Sequence, residues 1–261
     1  MRYGMMTLLA GAALLAPVQA AAQSLADRVS SAPADATVRF TFESRPGVCG
    51  NGENISMRGD SDGAVTVRGR TYSGWRDDCT EGPVQMEIRR SSNRITDARA
   101  RVGGDPRTGG TDLGSVDPEA AVTFLLSADV LTAADSRAAD RMVFAAVLAN
   151  TESWPGLLRV ARTRGLSSGA RKSAVFWLAQ AAGDRATEGL TSIVGDDSDE
   201  IEVRKHAVFA LSQIRSDDTL DALMDIARTN AEPEIRRNAM FWLGQTDDPR
   251  VIAFFEEILR G

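Results

Sequence analysis

The chain contains 261 residues and carries a formal net charge of −6, with a sequence pI of about 5.0. This acidic balance argues against sequence-independent binding of nucleic acid, because phosphate contacts need clustered positive charge. The chain has a single histidine, His206, which excludes a histidine-rich metal centre and leaves only this residue for a Ser-His-Asp triad.

The first 22 residues, 1–22, have the layout of a secretory signal peptide, which predicts export to the periplasm or the medium. A basic residue, Arg2, precedes an apolar run from Met5 to Val18, and small residues follow. The run is short and rich in alanine and glycine, so it does not fit a membrane anchor, and no later run is apolar enough to span a membrane. Residues 23–35 are rich in alanine, serine and aspartate and are predicted to be a linker.

Residues 36–102 are predicted to form a small antiparallel β module. In the segment TVRFTFES, Val38, Phe40 and Phe42 alternate with polar residues, which is the pattern of a half-buried strand. The link SSN between the last two strands suits a hairpin turn. The predicted strands cover residues 37–44, 64–70, 84–91 and 94–102.

The two cysteines of the chain, Cys49 and Cys79, both lie within this module. In an oxidising compartment, two cysteines in one small segment are expected to form a disulfide; the alternative is a pair of free buried thiols. On the chain-entropy account the bridge would contribute about 3–4 kcal/mol. That contribution matters because the module has few candidate core residues.

Residues 103–115 are rich in glycine, contain a proline and have no apolar period, so they are predicted to be a linker. A helix is expected to begin after them, with Asp117 as its N-cap and Pro118 in its first turn. From residue 116 to residue 261 the pattern indicates one helix after another. The predicted fold class is therefore α+β, a small antiparallel β module followed by an all-helical region.

Repetition is the strongest signal in the helical region, 116–261. Four phenylalanines recur in helical stretches at intervals of 32, 33 and 32 residues: Phe144, Phe176, Phe209 and Phe241. Acidic turns and second amphipathic helices follow them. A period of this length, built from paired helices, predicts an α-solenoid of about four repeats.

The segment VRKHAVFALSQIRSDDTLDALMDIA, residues 203–227, resembles the HEAT-like repeat of bacterial proteins, the type also known from phycobilin lyases. The resemblance covers about residues 136–261 and implies the repeat fold, but it carries no enzymatic activity over. For the β module we recognise no family. It also implies that an arginine at the start of each first helix binds acidic loops and carbonyl groups of neighbouring repeats. Those arginines are Arg171, Arg204 and Arg236, and the expected acidic partners are Asp184, Asp217 and Asp248.

A second pattern runs along the first helices, on the side opposite the predicted core. At 100° per residue, Lys172, Phe176 and Gln180 form one stripe, and the same positions recur in the next two repeats. The resemblance implies that this side is concave, which makes the stripe a candidate partner-binding ridge. The alternative is that each phenylalanine packs between neighbouring helices or against the β module. The other ridge residues are Lys205, Phe209, Gln213, Arg237, Phe241 and Gln245.

The remaining motifs do not indicate a catalytic, phosphate-binding or metal-binding site. The sequence contains no glycine-rich phosphate loop, metal-ligand cluster or nucleophile elbow, so we expect no cofactor and no metal. His206 aligns with Ser173 and Asn238 in the neighbouring repeats and is expected to be a solvated surface residue. The acidic loop at 195–202 lacks the spacing of a known calcium loop.

The expected function is an exported, non-enzymatic scaffold that binds a protein or peptide on the concave face of the solenoid. Two alternatives stay open. One is an enzyme, or a subunit of an enzyme, with its site at the junction of the β module and the solenoid. The other is a purely structural envelope protein. The sequence does not predict the oligomeric state.

Overall fold

A computed structural model describes residues 23–57, 66–67, 70–71, 79–92 and 94–260. The predicted signal peptide, 1–22, lies outside the described residues, as do parts of the predicted strand at 64–70. The described chain has strands between residues 37 and 115 and helices from residue 118 to residue 260, which confirms the predicted fold class.

The strands of the N-terminal region are short, apart from one long hairpin. In chain order they are β1 (Thr37–Phe42), β2 (Val48–Gly50), β3 (Ile55–Met57), β4 (Thr66–Val67), β5 (Arg70–Thr71), β6 (Thr80–Glu81), β7 (Val84–Ser91), β8 (Arg94–Arg101) and β9 (Thr111–Ser115). They form a four-stranded sheet, a three-stranded sheet and the separate pair β4–β5.

The four-stranded sheet has the order β8–β7–β1–β9. In β1, Val38, Phe40 and Phe42 are buried and the residues between them are half-buried, as the alternating pattern predicted. β1 pairs antiparallel with β7, with Phe40 opposite Met86, and β7 pairs antiparallel with β8. One face of this sheet therefore supplies the core of the N-terminal region.

The stretch predicted to be a linker, 103–115, instead ends in strand β9. β9 pairs in parallel with β1 and is the one parallel partner among the described strands. Gly109 and Gly110 have φ values of 90° and 76° and turn the chain back along β1; a Cβ on Gly110 would lie 2.2 Å from the carbonyl oxygen of Thr37. The sequence did not predict this strand because Leu113 is its one apolar residue and three of its five residues are exposed.

The predicted linker at 23–35 also differs from the structure, because it contains helix α1 (Leu25–Ser30). Leu25 and Val29 are buried, and Ser24 and Asp27 form a capping box at the start of the helix. Arg90 of β7 donates hydrogen bonds from Nη1 to the carbonyl oxygens of Val29 and Ala32, at 2.8 and 2.9 Å. Six residues are too few to show a helical period, so this docked helix was not predicted; its sequence signal was the capping box of Ser24 and Asp27.

The three-stranded sheet has the order β3–β2–β6 and carries the disulfide. Cys49 lies in β2 and is fully buried, and it is bonded to Cys79, next to β6, with a Cα–Cα distance of 5.4 Å. The predicted disulfide is therefore confirmed. It closes a loop with a sequence separation of 30.

Helices make up the rest of the described chain. The first begins as predicted: the Asp117 side chain accepts hydrogen bonds from the backbone N–H groups of Glu119 and Ala120. In chain order the helices are α2 (Pro118–Leu125), α3 (Ala128–Thr132), α4 (Ser136–Val147), α5 (Trp154–Arg162), α6 (Ser168–Ala182), α7 (Thr187–Val194), α8 (Ile201–Ser212), α9 (Asp217–Thr229), α10 (Pro233–Leu243) and α11 (Pro249–Arg260), with a 3-10 turn at Gly183–Ala186 between α6 and α7.

Helices α4 to α11 form four pairs that stack in two layers. The first helices of the pairs, α4, α6, α8 and α10, pack side by side in that order. The second helices, α5, α7 and α9, also pack in order, and Arg250 of α11 bonds to Asp217 of α9 at 2.6 Å. Among the described residues, none of the helices has the length and apolar character needed to cross a membrane.

The main sheet covers the first end of this stack. α4 packs against β8, and Arg141 of α4 forms an ion pair with Asp97 of β8. The backbone N–H of Ile95 donates to the carbonyl oxygen of Ala133 at 2.9 Å. The buried hydrophobic residues form one continuous cluster from the sheet to the last helix pair, so the two parts of the chain share a core.

Candidate partner-binding surface

The predicted ridge lies on α6, α8 and α10, the first helices of three successive pairs, except that Gln213 and Gln245 follow the carboxyl ends of α8 and α10. Its three glutamines are exposed, its two lysines are half-buried, and its arginine is exposed. The helices repeat with nearly the same phase, so equivalent side chains line up across the layer. We call these nine residues the first-helix stripe: Lys172, Phe176, Gln180, Lys205, Phe209, Gln213, Arg237, Phe241 and Gln245.

Aromatic rings contact each other at every joint between the first helices. The centroids of Phe176 and Phe209 lie 6.5 Å apart, and their planes differ by 7°. Phe144 of α4 lies 5.1 Å from Trp177 of α6, and Phe209 lies 4.8 Å from Trp242 of α10. The aromatic row, as we call it, crosses four helices and consists of Phe144, Trp177, Phe176, Phe209, Trp242 and Phe241.

The phenylalanines of the row therefore pack between helices and also reach the surface. Phe176 and Phe209 are half-buried, because each lies against an aromatic ring of the neighbouring helix. Phe241 is 57% exposed, because no described first helix follows α10. The tryptophans were not predicted from the sequence to belong to this row. Their signal was that a tryptophan directly follows the phenylalanine in two of the repeats.

The cations of the first-helix stripe are in different electrostatic environments. Lys205 Nζ lies 2.8 Å from Glu234 of α10 and 3.1 Å from Glu202 of its own helix. The hydrogen bond to Glu234 raises the pKa of Lys205, and the same bond lowers the pKa of Glu234. Within the described chain, Lys172 and Arg237 have no ion pair within 4 Å, so they are the charges of the stripe that stay available.

His206 lies within this surface, whereas the sequence predicted a solvated position. Its ring centroid is 5.5 Å from that of Phe209, and the side chain is half-buried. Burial, together with the positive charge of Lys172 on α6, lowers the pKa of His206. The neutral imidazole is thus favoured at this position, where it packs against the aromatic row.

The arginines at the start of the first helices connect successive pairs. Arg171 is fully buried; its Nε donates to the carbonyl oxygen of Ala161 at the end of α5, and its Nη1 donates to Asp199 Oδ1 at 2.7 Å. Arg204 makes the equivalent bond from Nε to the carbonyl oxygen of Val194 at 2.9 Å, but its Nη2 donates at 2.7 Å to Asp197, which lies in the loop before its own helix. These contacts agree with a structural role for both residues.

The acidic partners differ from the expected ones. Arg236 donates to the carbonyl oxygens of Asn230 and Ala231, while Asp217 and Asp248 both bind Arg250. The third expected partner, Asp184, is exposed. The expected aspartates follow the carboxyl ends of the first helices, whereas the arginines lie near the amino ends. A helix of 15 residues such as α6 is about 22 Å long, too far for an arginine side chain to reach.

Arginine side chains bind the aspartates of the acidic loop at 195–202. Ser198 and Arg164 bind Asp196, and their hydrogen bonds lower the pKa of its carboxyl to about 2. Burial raises the pKa of Asp199, but hydrogen bonds from Arg171 and from the Glu200 N–H outweigh this effect and lower it. Across the part of the chain that the structure describes, no group of acidic, histidine or cysteine side chains could hold a metal ion.

A separate cleft of about 480 Å³ lies where the sheets meet the helices. It is lined by residues that include Glu43, Glu81 and Asn150. Both glutamates are exposed, and Glu43 accepts a hydrogen bond from Asn150 Nδ2 at 2.9 Å. The enzyme alternative calls for a buried pair of carboxylates at this junction, and the described cleft does not contain one.

Comparison with known families agrees with the helical geometry. A family model described as HEAT repeats matches residues 155–239 and, in a second overlapping match, residues 187–261. Residues 155–261 are HEAT repeats. The HEAT-repeat region is a helical repeat scaffold of a kind that serves protein interaction and is typically non-catalytic. The N-terminal strand region is unrecognised, and no curated protein matches the chain.

Proposed function

We propose that this protein is an exported, non-enzymatic scaffold that binds a protein or an extended peptide on the concave side of its HEAT repeats, the side lined by α4, α6, α8 and α10. The observation that carries the proposal is the aromatic row. It runs without a break across four consecutive helices. Its rings pack neighbouring helices together, and Phe241 is in addition 57% exposed, so a partner can contact it.

The aromatic row supplies apolar contact area that is already rigid. Because Phe176 and Phe209 are stacked on one another, neither ring loses much rotamer freedom when a partner covers it. The packing of these rings and their contact with a partner are thus compatible. Phe241 offers the largest open ring area of the three and is the strongest single apolar contact.

Polar groups on both sides of the row give the partner its orientation. Lys172 and Arg237, which lack ion pairs in the described chain, lie on one side and pair with acidic groups of the partner. The exposed amides of Gln180, Gln213 and Gln245 lie on the other side and bond to its peptide groups. Together these features favour an extended segment with acidic residues over a nucleic acid, in agreement with the net charge of −6.

The proposed export rests on two observations. The first is the signal-peptide pattern at residues 1–22. The second is the disulfide between Cys49 and Cys79, because disulfides persist mainly in oxidising compartments such as the periplasm or the medium.

The experiment compares three forms of the immobilised chain as baits for the exported proteins of the source cell. The ridge variant is Lys172→Glu/Arg237→Glu/Phe241→Ala, which changes the two available charges and the most exposed ring. The matched control is Arg162→Glu/Arg215→Glu/Ile252→Ala, which makes the same types of change at exposed positions elsewhere on the solenoid. We expect the wild type and the control to retain the same discrete protein, and the ridge variant to lose it.

Thermal unfolding of all three forms shows whether a loss of binding reflects a loss of fold. The proposal is contradicted if the ridge variant, folded like the control, retains the same proteins as the wild type. It is also contradicted if the control loses them to the same degree, because the contact would then lie outside the first-helix stripe.

A further inference from the structure

The two joints between the first helices α6, α8 and α10 differ in charge. In the α8–α10 joint, Lys205 of α8 binds Glu234 of α10 at 2.8 Å. The repeats are 33 and 32 residues apart, so Lys172 of α6 is equivalent to Lys205. Glu202 of α8, which is equivalent to Glu234, binds Lys205 of its own helix at 3.1 Å. Within the described residues, the α6–α8 joint therefore carries a lysine without an ion pair.

His206 of α8 lies in the same joint. Its side chain is half-buried, and its ring centroid is 5.5 Å from that of Phe209. Burial and the positive charge of Lys172 across the joint both lower the pKa of His206. The equivalent residues are Ser173 in α6 and Asn238 in α10, so among these three helices the imidazole is specific to the α6–α8 joint. Lysine and protonated histidine both donate hydrogen bonds, so the joint presents two donors to an anion.

The other charged side chains near His206 bind each other or face away from it. On α8 itself, Glu202 and Lys205 form an ion pair, and Glu234 of α10 binds the same lysine. Arg237 of α10 has the helical phase of Lys205, so it faces away from α8. The helices α7 and α9 lie in the other layer and pack on the core side of α8. The lysine of α6 is therefore the charge that controls the protonation of the imidazole.

We propose that Lys172 and His206 together bind one carboxylate of the partner, from an aspartate or glutamate side chain. This inference rests on the proposed function, because the acidic residue belongs to the segment that is bound on the concave side. Phe176 and Phe209 stack at 6.5 Å in the same joint; they shield the ion pair from water on one side and so strengthen it. His206 thereby selects an acidic segment over a neutral one.

Partner binding is then linked to the protonation of His206. In the free protein, burial and the charge of Lys172 disfavour the imidazolium and lower the pKa of the ring. A carboxylate in the joint favours the imidazolium, so the bound state takes up a proton. The affinity therefore rises as the pH falls from about 7.5 to about 5.5, a range in which a peptide glutamate with an ordinary pKa of about 4.3 stays ionised.

The test measures how tightly the untagged chain binds two synthetic peptides, by calorimetry at about pH 7.5 and about pH 5.5. The first peptide is acetyl-Ser-Phe-Ser-Glu-Ser-Phe-Ser-amide, whose glutamate and phenylalanines lie on one side when it is extended. The second peptide, its matched control, has glutamine in place of the glutamate. We expect the glutamate peptide to bind about tenfold more tightly at the lower pH, and the affinity of the glutamine peptide to change less than about twofold.

Two variants separate the two donors. His206→Asn introduces the residue that α10 has at the equivalent position, so it folds, and it is expected to abolish the gain in affinity at the lower pH. Lys172→Gln is expected to weaken the glutamate peptide at both pH values, while the control Arg162→Gln, at an exposed position on α5, leaves it unchanged. Equal thermal unfolding midpoints at about pH 7.5 show that the variants are folded.

A spectroscopic readout does not depend on the variants. Because His206 is the single histidine of the chain, its ring protons give signals in NMR spectra that report its protonation directly. At about pH 6.5, the glutamate peptide is expected to shift these signals toward those of the imidazolium, and the glutamine peptide is not.

Three outcomes overturn the proposal. The two peptides bind equally well at about pH 5.5; or His206→Asn keeps the gain in affinity; or neither peptide binds at concentrations up to about 1 mM. Equal binding of both peptides that Phe241→Ala weakens would remove the carboxylate contact and leave the concave surface as a binding site. Failure of the proposed function has a different readout, which is retention of the same proteins by the ridge variant and the wild type.

Discussion

Two arginines that bind the acidic loop at 195–202 differ in how deeply they are buried. Arg171 is an arginine without any solvent exposure, held by a carbonyl oxygen and by the carboxylate of Asp199. Arg164, from the end of the preceding pair, binds Asp196 of the same loop but is 55% exposed. The Arg171–Asp199 and Arg164–Asp196 ion pairs have the same chemistry, but the first is buried and the second faces solvent.

Arg171→Met is expected to lower the free energy of unfolding by about 3–5 kcal/mol, because it leaves the buried Asp199 carboxylate without its cation. Arg164→Met, the matched control, is expected to cost less than about 1 kcal/mol, since its ion pair faces solvent. Urea unfolding followed by circular dichroism measures both. Equal losses for the two variants would contradict the structural role of Arg171.

The phenylalanines of the aromatic row differ in how much of their area is structural. Phe209 touches rings on both neighbouring helices, so Phe209→Ala is expected to cost about 2–3 kcal/mol of stability. Phe241 is more than half exposed, so Phe241→Ala is expected to cost less than about 1 kcal/mol. Thermal or urea unfolding separates the two; a larger loss for Phe241 would be incompatible with the packing described.

His206 gives the stability a pH dependence that can be assigned to one residue. Its pKa is lowered by burial and by Lys172, so the unfolded chain binds more protons than the folded chain just below the ordinary histidine pKa of about 6.5. Stability therefore falls as the pH is lowered through that range. We expect the wild type to lose stability between about pH 7.5 and 5.5 and His206→Asn to show a flatter profile. Parallel profiles would show that His206 is not the cause.

At the scale of elements, the helices and strands with a regular apolar pattern were predicted from the sequence, and those without one were missed. The helix pairs were predicted from their repeat, and the strands β1, β7 and β8 were predicted from their alternating residues, close to their observed bounds. Helix α1 is too short to show a period, and β9 is an exposed edge held by backbone hydrogen bonds and glycine turns. Their positions depend on contacts with distant residues, such as Arg90 on the carbonyl oxygens around α1.

For the candidate site, too, the sequence predicted some features and missed others. Helical phase alone placed the nine residues of the first-helix stripe on one side. It could not show that the rings contact one another, that Glu234 binds Lys205, or that His206 packs beside Phe209. Those facts depend on how closely neighbouring helices approach, which a single-helix projection does not contain.

The disulfide stabilises a specific group of elements. Cys49 in β2 is bonded to Cys79 beside β6, and β3 pairs with β2. The variant Cys49→Ser/Cys79→Ser is expected to lose about 3–4 kcal/mol of stability through the freed loop. Hydrogen exchange should increase in β2, β3 and β6 and remain unchanged in α6 to α10. The control is Ser56→Ala at an exposed position in β3; unchanged protection of β2 in the cysteine variant would contradict this account.

At the scale of the whole molecule, the sheet and the helix pairs share one continuous core. The sheet covers one end of the stack, and the first-helix stripe lies across α6, α8 and α10.

The measurement that tests the central claim most directly is site-specific photocrosslinking in the source cell. A photoreactive amino acid replaces Gln213, which is exposed in the middle of the first-helix stripe, or Glu188, which is exposed on α7 in the other helix layer. The account predicts a discrete crosslinked protein from position 213 and none from position 188. Crosslinks of equal strength from both positions, or a product from position 188 alone, would contradict binding at the first-helix stripe.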